Sequence, residues 1–219
     1  MPIVQLRPPE ESFDEIIFGK LVKLDAIILC EGKTEVETVK QIIEKLSIEI
    51  PITIGLADCK GITRVPRETW AIAALVKVAR KLKNIGVLVD AENQNYIDRA
   101  KSIIDSLRAK EFKVEDLKPV KNSQQVFETI ICTDRKPITL TIAVSGITQY
   151  SFKKHTIENH TVKLMLLEGK IEKNTISKHE AAEEIVGREK TLEIIKQANR
   201  ENIKKAYNHI IQILKQLTT

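Results

Sequence analysis

Short apolar runs and amphipathic stretches alternate between residues 24 and 109, and this alternation limits the possible folds more than any other property of the sequence. The apolar runs are Leu24–Cys30, Pro51–Ala57 and Ile85–Val89, and their continuous apolar character is typical of strands buried on both faces. The amphipathic stretches are Thr34–Leu46, Pro66 to about Lys83, and Tyr96–Ala109. This order predicts an α/β fold with a mainly parallel, Rossmann-like sheet flanked by helices.

The pattern changes after Lys118. Two β-prone runs, Gln125–Cys132 and Ile138–Val144, are separated by a turn-forming segment and predict an added antiparallel hairpin. Phe112–Leu117 predicts a short strand, and residues 1–20, with their two adjacent prolines, predict an irregular lead-in.

The last part of the chain predicts helices. They cover Glu158–Leu167 and Lys178–Leu217, with a break near Gly187. We therefore expect an α/β domain over residues 1–170, with its core at about 24–118. A helical extension over 171–219 packs on the same domain or on a partner in a homodimer.

The overall charge and the cysteines restrict the class of protein. The net charge of +5 and the isoelectric point near 9.0 permit a polyanionic partner without requiring one. Three widely spaced cysteines favour a reducing compartment over a disulfide framework or a zinc site. With no signal-peptide core and no apolar run of membrane-spanning length, we expect a cytoplasmic protein without membrane contact.

Acidic residues follow two of the predicted strands directly. Leu24–Cys30 runs into Glu31, with Gly32, Lys33 and Glu35 close behind, and Ile85–Val89 runs into Asp90 and Glu92. Since ligands of open parallel sheets bind beyond the carboxyl ends of the strands, these acids should meet. Oxygen ligands of this kind suit Mg²⁺ or Mn²⁺. Taken singly, such acids are better explained as helix caps or first-turn acids, whereas the two strand-end clusters together favour a cation site.

These residues resemble the Toprim domain, the fold shared by topoisomerases, bacterial-type primases and OLD nucleases. The segment Glu31-Gly32-Lys33-Thr34-Glu35 is similar to the opening of OLD-type and small stand-alone Toprim proteins, and Asp90-Ala91-Glu92 resembles the family's D-x-D pair. The resemblance covers about residues 24–118. It departs from the family at Glu92, where aspartate is the commonest residue.

The resemblance implies Mg²⁺-dependent (or Mn²⁺-dependent) phosphoryl transfer on DNA or RNA, with a nuclease as the leading interpretation. It makes Asp90 and Glu92 the principal metal ligands, Glu31 a ligand or general base, and Glu35 a supporting ligand for a second metal. Lys33, Lys60 or Arg64 would stabilise charge on the phosphate. A non-catalytic Toprim-fold protein that binds nucleic acid or serves as a scaffold is the alternative. An enzyme acting on a small phosphorylated metabolite is a third interpretation.

Two other groups of residues are ambiguous in the sequence. His155, Glu158 and His160 near a predicted helix start fit a capped helix better than a metal site. Several cations around the second helix could line a nucleic-acid track or form a solvated face, and the second interpretation is preferred. They are Arg64, Arg67, Lys77, Arg80, Lys81 and Lys83.

Overall fold

The computed structural model describes residues 3–6, 19–76, 78–134 and 136–219, with the backbone alone at 188–189. The strands are β1 Ile3–Leu6, β2 Ala26–Cys30, β3 Ile54–Asp58, β4 Asn84–Asp90, β5 Lys113–Val114, β6 Lys118–Pro119, β7 Val126–Cys132 and β8 Ile138–Ser145. The α-helices are α1 Lys33–Leu46, α2 Val65–Leu75, α3 Tyr96–Arg108, α4 Glu158–Leu167, α5 Lys173–Ile176, α6 Arg188–Gln197, α7 Arg200–Ala206 and α8 Asn208–Thr218. Short 3-10 turns cover Leu21–Lys23 and Ala182–Glu184.

The strands form one mixed sheet in the order β1-β3-β2-β4-β8-β7-β5, with β6 also paired to β7. The first five strands in this order, β1, β3, β2, β4 and β8, are all parallel to their neighbours. Strand β7 runs antiparallel to β8, β5 and β6. The prediction of an α/β fold with a mostly parallel sheet is therefore confirmed.

Successive residues of the central strands point to opposite faces and enter two separate cores. Ile27 and Leu29 of β2 pack on the side of α2 and α3. Ile28 and Cys30 pack on the side of α1, α6, α7 and α8. The continuous apolar runs in the sequence thus reflect a sheet covered by helices on both faces.

The predicted hairpin forms, and β8 joins the middle of the sheet beside β4. Asp90 at the end of β4 pairs with Ser145 at the end of β8. The chain that follows β8 therefore starts at the same edge of the sheet as the strand-end acids.

Several sequence predictions need correction. The second helix ends at Leu75, because residues 78–83 fold back in turns that bury Ala79 and Leu82 on the way to β4. Within the predicted irregular lead-in, Ile3–Leu6 is a strand beside β3, while the two prolines lie outside the described residues. The predicted strand Phe112–Leu117 shrinks to Lys113–Val114.

The predicted C-terminal helix is divided into several shorter helices that close one face of the sheet. Asn199 caps α7 by accepting a hydrogen bond from Glu201, and a further bend at Tyr207 separates α7 from α8. The apolar stripe of α8 is buried within the chain, and its Ile213 and Leu217 lie against Gly86 of β4. Over the described residues, no helix is long and apolar enough to cross a membrane.

Candidate functional site

The carboxyl ends of β2 and β4 lie side by side, and the acids that follow them come together. β2 pairs directly with β4, which brings Glu31 beside Asp90. One carboxylate oxygen of Glu31, Oε2, accepts a hydrogen bond from the backbone N–H of Asp90 at 3.1 Å. Two segments far apart in sequence therefore build one site.

A cleft of about 450 Å³ opens at this edge of the sheet, and we call it the acidic cleft. Lys33, Lys60 and several small or polar residues contribute to its wall. Its carboxylates are those of Glu31, Glu35, Asp58, Asp90, Glu92, Glu158 and Glu183. Carboxylates clearly outnumber lysines in this lining, so the cleft attracts cations.

Asp90 ends β4 and is one of the buried acids of the acidic cleft, together with Glu35 and Glu158. Its residue surface is 8% exposed, and no donor among the described residues reaches its side-chain oxygen Oδ1. Burial raises the pKa of Asp90 well above its ordinary value, and the nearby carboxylates of Glu35, Glu31, Glu158 and Glu92 raise it further. A buried carboxylate with an unpartnered oxygen is costly unless a cation or a proton compensates it.

Glu35 lies one helical turn beyond Glu31 and is buried. Its Oε2 accepts the backbone N–H of Gly32 at 2.9 Å and so closes the first turn of α1. Burial, followed by the neighbouring carboxylates of Glu158 and Glu31, raises the pKa of Glu35 to about 7. Near neutral pH this side chain is able to gain or lose a proton.

Glu31 is partly exposed at the mouth of the acidic cleft. Burial raises its pKa, while the hydrogen bond from Asp90 and the charge of Arg99 oppose that rise. Arg99 is itself directed towards the backbone oxygen of Ala91, at 3.4 Å. One carboxylate oxygen of Glu31 thus accepts a backbone hydrogen bond, and the side chain lies near the buried guanidinium group of Arg99.

Glu92 lines the acidic cleft but holds a different kind of contact. Its φ of 54° is left-handed, and its backbone forms a reciprocal pair of hydrogen bonds with His155, both at 3.0 Å. Its carboxylate forms an ion pair with Lys154 at 3.2 Å. A cation in the acidic cleft would therefore compete with Lys154 for this carboxylate.

The predicted cationic residues lie at the periphery. Lys33 is largely exposed and pairs with Glu37 at 3.5 Å, and Lys60 lines the mouth next to Asp58, which accepts its backbone N–H. Arg64 is exposed just before α2 and is not part of the wall.

The other basic residues of the second helix do not flank the acidic cleft as a group. Arg80, Lys81 and Lys83 are exposed near the amino end of β4, at the opposite edge of the sheet. Arg67 is exposed on α2, and Lys77 lies outside the described residues. The arrangement is that of a solvated surface.

Sequence reasoning missed Glu183 as a residue of the acidic cleft and assigned Glu158 a capping role only. Glu158 begins α4, as predicted for a first-turn acid, yet it is buried and faces the other carboxylates. The sequence carries no signal for this placement, because Glu158 reaches the edge only through the pairing of β8 with β4, after which the chain continues into α4.

His160 has a structural role. Its Nε2 accepts the backbone N–H of Gly146 at 2.9 Å, and its Nδ1 donates to the oxygen of Ala206 at 2.8 Å. Burial lowers the pKa of His160 to about 3, so the ring is neutral in the core. It lies outside the acidic cleft.

The donor set of the acidic cleft fits a hard divalent cation. Its acidic side chains offer carboxylate oxygens, and the unpartnered oxygen of Asp90 is available as a ligand. Within the described ranges, no three His, Cys, Asp or Glu side chains already surround a common point as a ready cation cage. Mg²⁺ commonly uses one or two carboxylates and completes its shell with water and phosphate oxygens.

Comparison with known proteins gives a family and no named relative. Neither the curated proteins nor the solved structures contain a significant match. A family model described as "Protein of unknown function (DUF3226)" matches residues 25–143, which include Glu31, Asp90 and Glu92 but end before Lys154 and Glu158. Because this match spans more than half of the chain, the protein belongs to the DUF3226 family.

Proposed function

We propose that this protein is a Mg²⁺-dependent phosphoryl-transfer enzyme that acts on nucleic acid, and specifically a nuclease of the Toprim type. The observation that carries the proposal is the buried Asp90, whose oxygen Oδ1 lacks a partner in the described structure and whose neighbours are carboxylates. The sequence resemblance to Toprim openings at Glu31 and Asp90 supports the same assignment.

The energetics favour a cation in the acidic cleft. Like-charged carboxylates around Asp90 repel one another in a partly desolvated space, which is why several of their pKa values are raised. Without a compensating cation, this repulsion is unfavourable. A divalent ion would relieve it, and the same ion recruits phosphate oxygens.

Each side chain has a distinct task in this proposal. Asp90 and Glu31 would hold the cation together with Glu158, while Glu92 would join after release from Lys154. Bound Mg²⁺ would supply charge neutralisation for a phosphate oxygen and a lower pKa for water. Glu35, with its pKa of about 7, has the range of a general base or acid. Lys33, Lys60 and Lys154 would attract the phosphate at the rim.

A non-catalytic nucleic-acid-binding protein is the second candidate. The observation that favours it is the ion pair between Glu92 and Lys154, which occupies a predicted metal ligand. Such a protein would retain nucleic acid in EDTA and cleave none.

A cleavage assay tests the proposal. Labelled single-stranded and duplex DNA and RNA are incubated with the purified chain in Mg²⁺, Mn²⁺ or EDTA. The wild type should cleave at least one substrate with metal, and Asp90→Asn, purified identically, should lose that activity. Asp116→Asn is the matched control, because the Asp116 side chain is 99% exposed and lies outside the acidic cleft. Metal-independent cleavage, or equal cleavage by Asp90→Asn, would refute the assignment.

A further inference from the structure

A second pocket of about 570 Å³ shares no lining residue with the acidic cleft and has the opposite charge. Three lysines line it, Lys163 of α4 with Lys204 and Lys205 of α7, and we call it the basic pocket. Glu201 is its acidic counterpart and is already paired with Lys204 at 2.7 Å. The lining therefore carries a surplus of positive charge.

Lys163 is the most informative of these lysines. It is half-buried, and loss of hydration lowers its pKa. No carboxylate in the described part of the chain forms an ion pair with it, nor with Lys205. A partly desolvated ammonium group without a counter-ion is a favourable place for an anion.

The basic pocket lies at the same edge of the sheet as the acidic cleft. Gln125, in its wall, donates from Nε2 to the backbone oxygens of Val144 and Gly146 at 2.9 and 2.7 Å, at the carboxyl end of β8. β8 is the direct neighbour of β4, which ends at Asp90. With strands about 4.8 Å apart, two strand spacings place Gln125 roughly 10 Å from Asp90.

Helix α4 links the two sites. Glu158, its first residue, lines the acidic cleft, and Lys163 lines the basic pocket. Five residues of helix rise by about 7.5 Å. A nucleic-acid strand in a duplex carries a phosphate about every 3.4 Å along the axis, so this separation spans roughly two phosphates.

We infer that the basic pocket binds the phosphate backbone of a nucleic-acid strand, roughly two phosphates away from the linkage that lies in the acidic cleft. The inference rests on the proposed function for the identity of that strand. The lining residues described here include no aromatic side chain, so the pocket offers charge and hydrogen bonds and no stacking surface for bases. Recognition is therefore independent of base sequence and sensitive to salt.

The test measures binding of fluorescent oligonucleotides by anisotropy in EDTA, so that it does not depend on metal or cleavage. The pocket variant replaces Lys163, Lys204 and Lys205 with glutamine. The matched control replaces Lys81, Lys83 and Lys101, which are exposed and line neither site. Both variants lose the same charge, and circular dichroism and thermal melting are used to check that both are folded.

The pocket variant should bind at least about tenfold more weakly than the control, and the slope of log K against log salt should fall in magnitude by about 2, as expected for three lost contacts to a single strand. Equal weakening in both variants, or no weakening in either, would overturn the inference. Displacement of the oligonucleotide by inorganic phosphate at low concentration would also overturn it, since the pocket would then hold a single free anion.

Failure of the proposed function gives a different result. If the protein cleaves no nucleic acid but its binding in EDTA depends on the pocket lysines, the nuclease assignment is refuted. The assignment of the basic pocket as a nucleic-acid site is then retained. If the protein cleaves nucleic acid but its binding does not depend on the three pocket lysines, only the inference about the basic pocket is refuted.

Discussion

Glu31 and Asp90 are joined by a hydrogen bond of 3.1 Å that spans 59 positions in the chain. The contact fixes the carboxylate of one strand end on the backbone of the next. It also places the carboxylates of Glu31 and Asp90 close together. The hydrogen bond stabilises the fold, whereas the repulsion between the two carboxylates destabilises it.

Substitutions of Glu31 separate these contributions. Glu31→Gln keeps an oxygen acceptor for the Asp90 N–H and removes a charge, whereas Glu31→Ala leaves that N–H unsatisfied. We expect Glu31→Ala to be less stable than Glu31→Gln by about 1–3 kcal/mol in urea denaturation. Both variants should show weaker Mg²⁺ binding by calorimetry. Equal stability of the two variants would show that the hydrogen bond is unimportant.

The raised pKa of Glu35 predicts a pH-dependent stability. Since its folded-state pKa is about 7 and its ordinary value is 4.5, the folded protein holds a proton that the unfolded chain has lost between these values. Its contribution to stability is thus complete below 4.5 and is lost as pH rises through about 7. The lowered pKa values of His160 and His209 act in the opposite direction, so the wild type alone does not isolate the effect.

Glu35→Gln removes the titration of Glu35 together with its effect on the pKa of Asp90, because glutamine still accepts the Gly32 N–H but does not titrate. Relative to this variant, the wild type should lose up to about 3 kcal/mol between acidic and mildly alkaline pH. Urea denaturation at several pH values measures the difference, and Mg²⁺ should reduce it at alkaline pH. A difference that stays constant with pH would contradict the prediction.

Adjacent lysines 153 and 154 provide a matched pair for testing competition at Glu92. Lys154 pairs with Glu92 in the acidic cleft, whereas Lys153 pairs with Glu180 outside it. Lys154→Gln should tighten Mg²⁺ binding by up to about fivefold, since an exposed ion pair contributes at most about 1 kcal/mol. Lys153→Gln should leave the affinity unchanged in the same calorimetric titration. Mg²⁺ binding by Lys154→Gln that is no tighter than in the wild type would contradict competition at Glu92.

Alanine substitutions of Gly146 and Gly169 test whether the close approach of Gly146 to His155 matters for stability. Both have positive φ, but a Cβ at Gly146 would lie 2.7 Å from the backbone of His155, whereas one at Gly169 would meet nothing within 4 Å. Gly146→Ala should therefore be less stable than Gly169→Ala by about 1–3 kcal/mol in urea denaturation. It should also weaken Mg²⁺ binding, because His155 holds the backbone of Glu92. Equal losses would show that left-handed strain alone matters.

The first half of the fold could be predicted because its strands and helices have simple periodicities. The acids Glu31 and Asp90 could be placed at one edge because parallel strands bring their carboxyl ends together. The sequence does not reveal that β8 pairs with β4, and this pairing brings Glu158 to the same edge. The left-handed φ of Glu92 and its ion pair with Lys154 likewise depend on packing between distant segments.

The end of helix α2 was beyond sequence reasoning for a related reason. Its apolar pattern continues past Leu75, but the chain must return to the start of β4, and the buried Ala79 and Leu82 occupy turns on that path. The basic pocket was missed because its lysines come from α4 and α7, which are separated by about forty positions.

Because β8 lies in the middle of the sheet, two separate parts of the chain form the acidic cleft. The family-matched stretch 25–143 supplies most of the lining, and the residues after β8 supply Thr156, Glu158 and Glu183 together with helices over Ile28 and Leu88. A protein trimmed to that stretch would expose an apolar face to water and open Asp90 to bulk solvent. Homologues that keep the early motif but replace the later helices would therefore inherit an incomplete cleft.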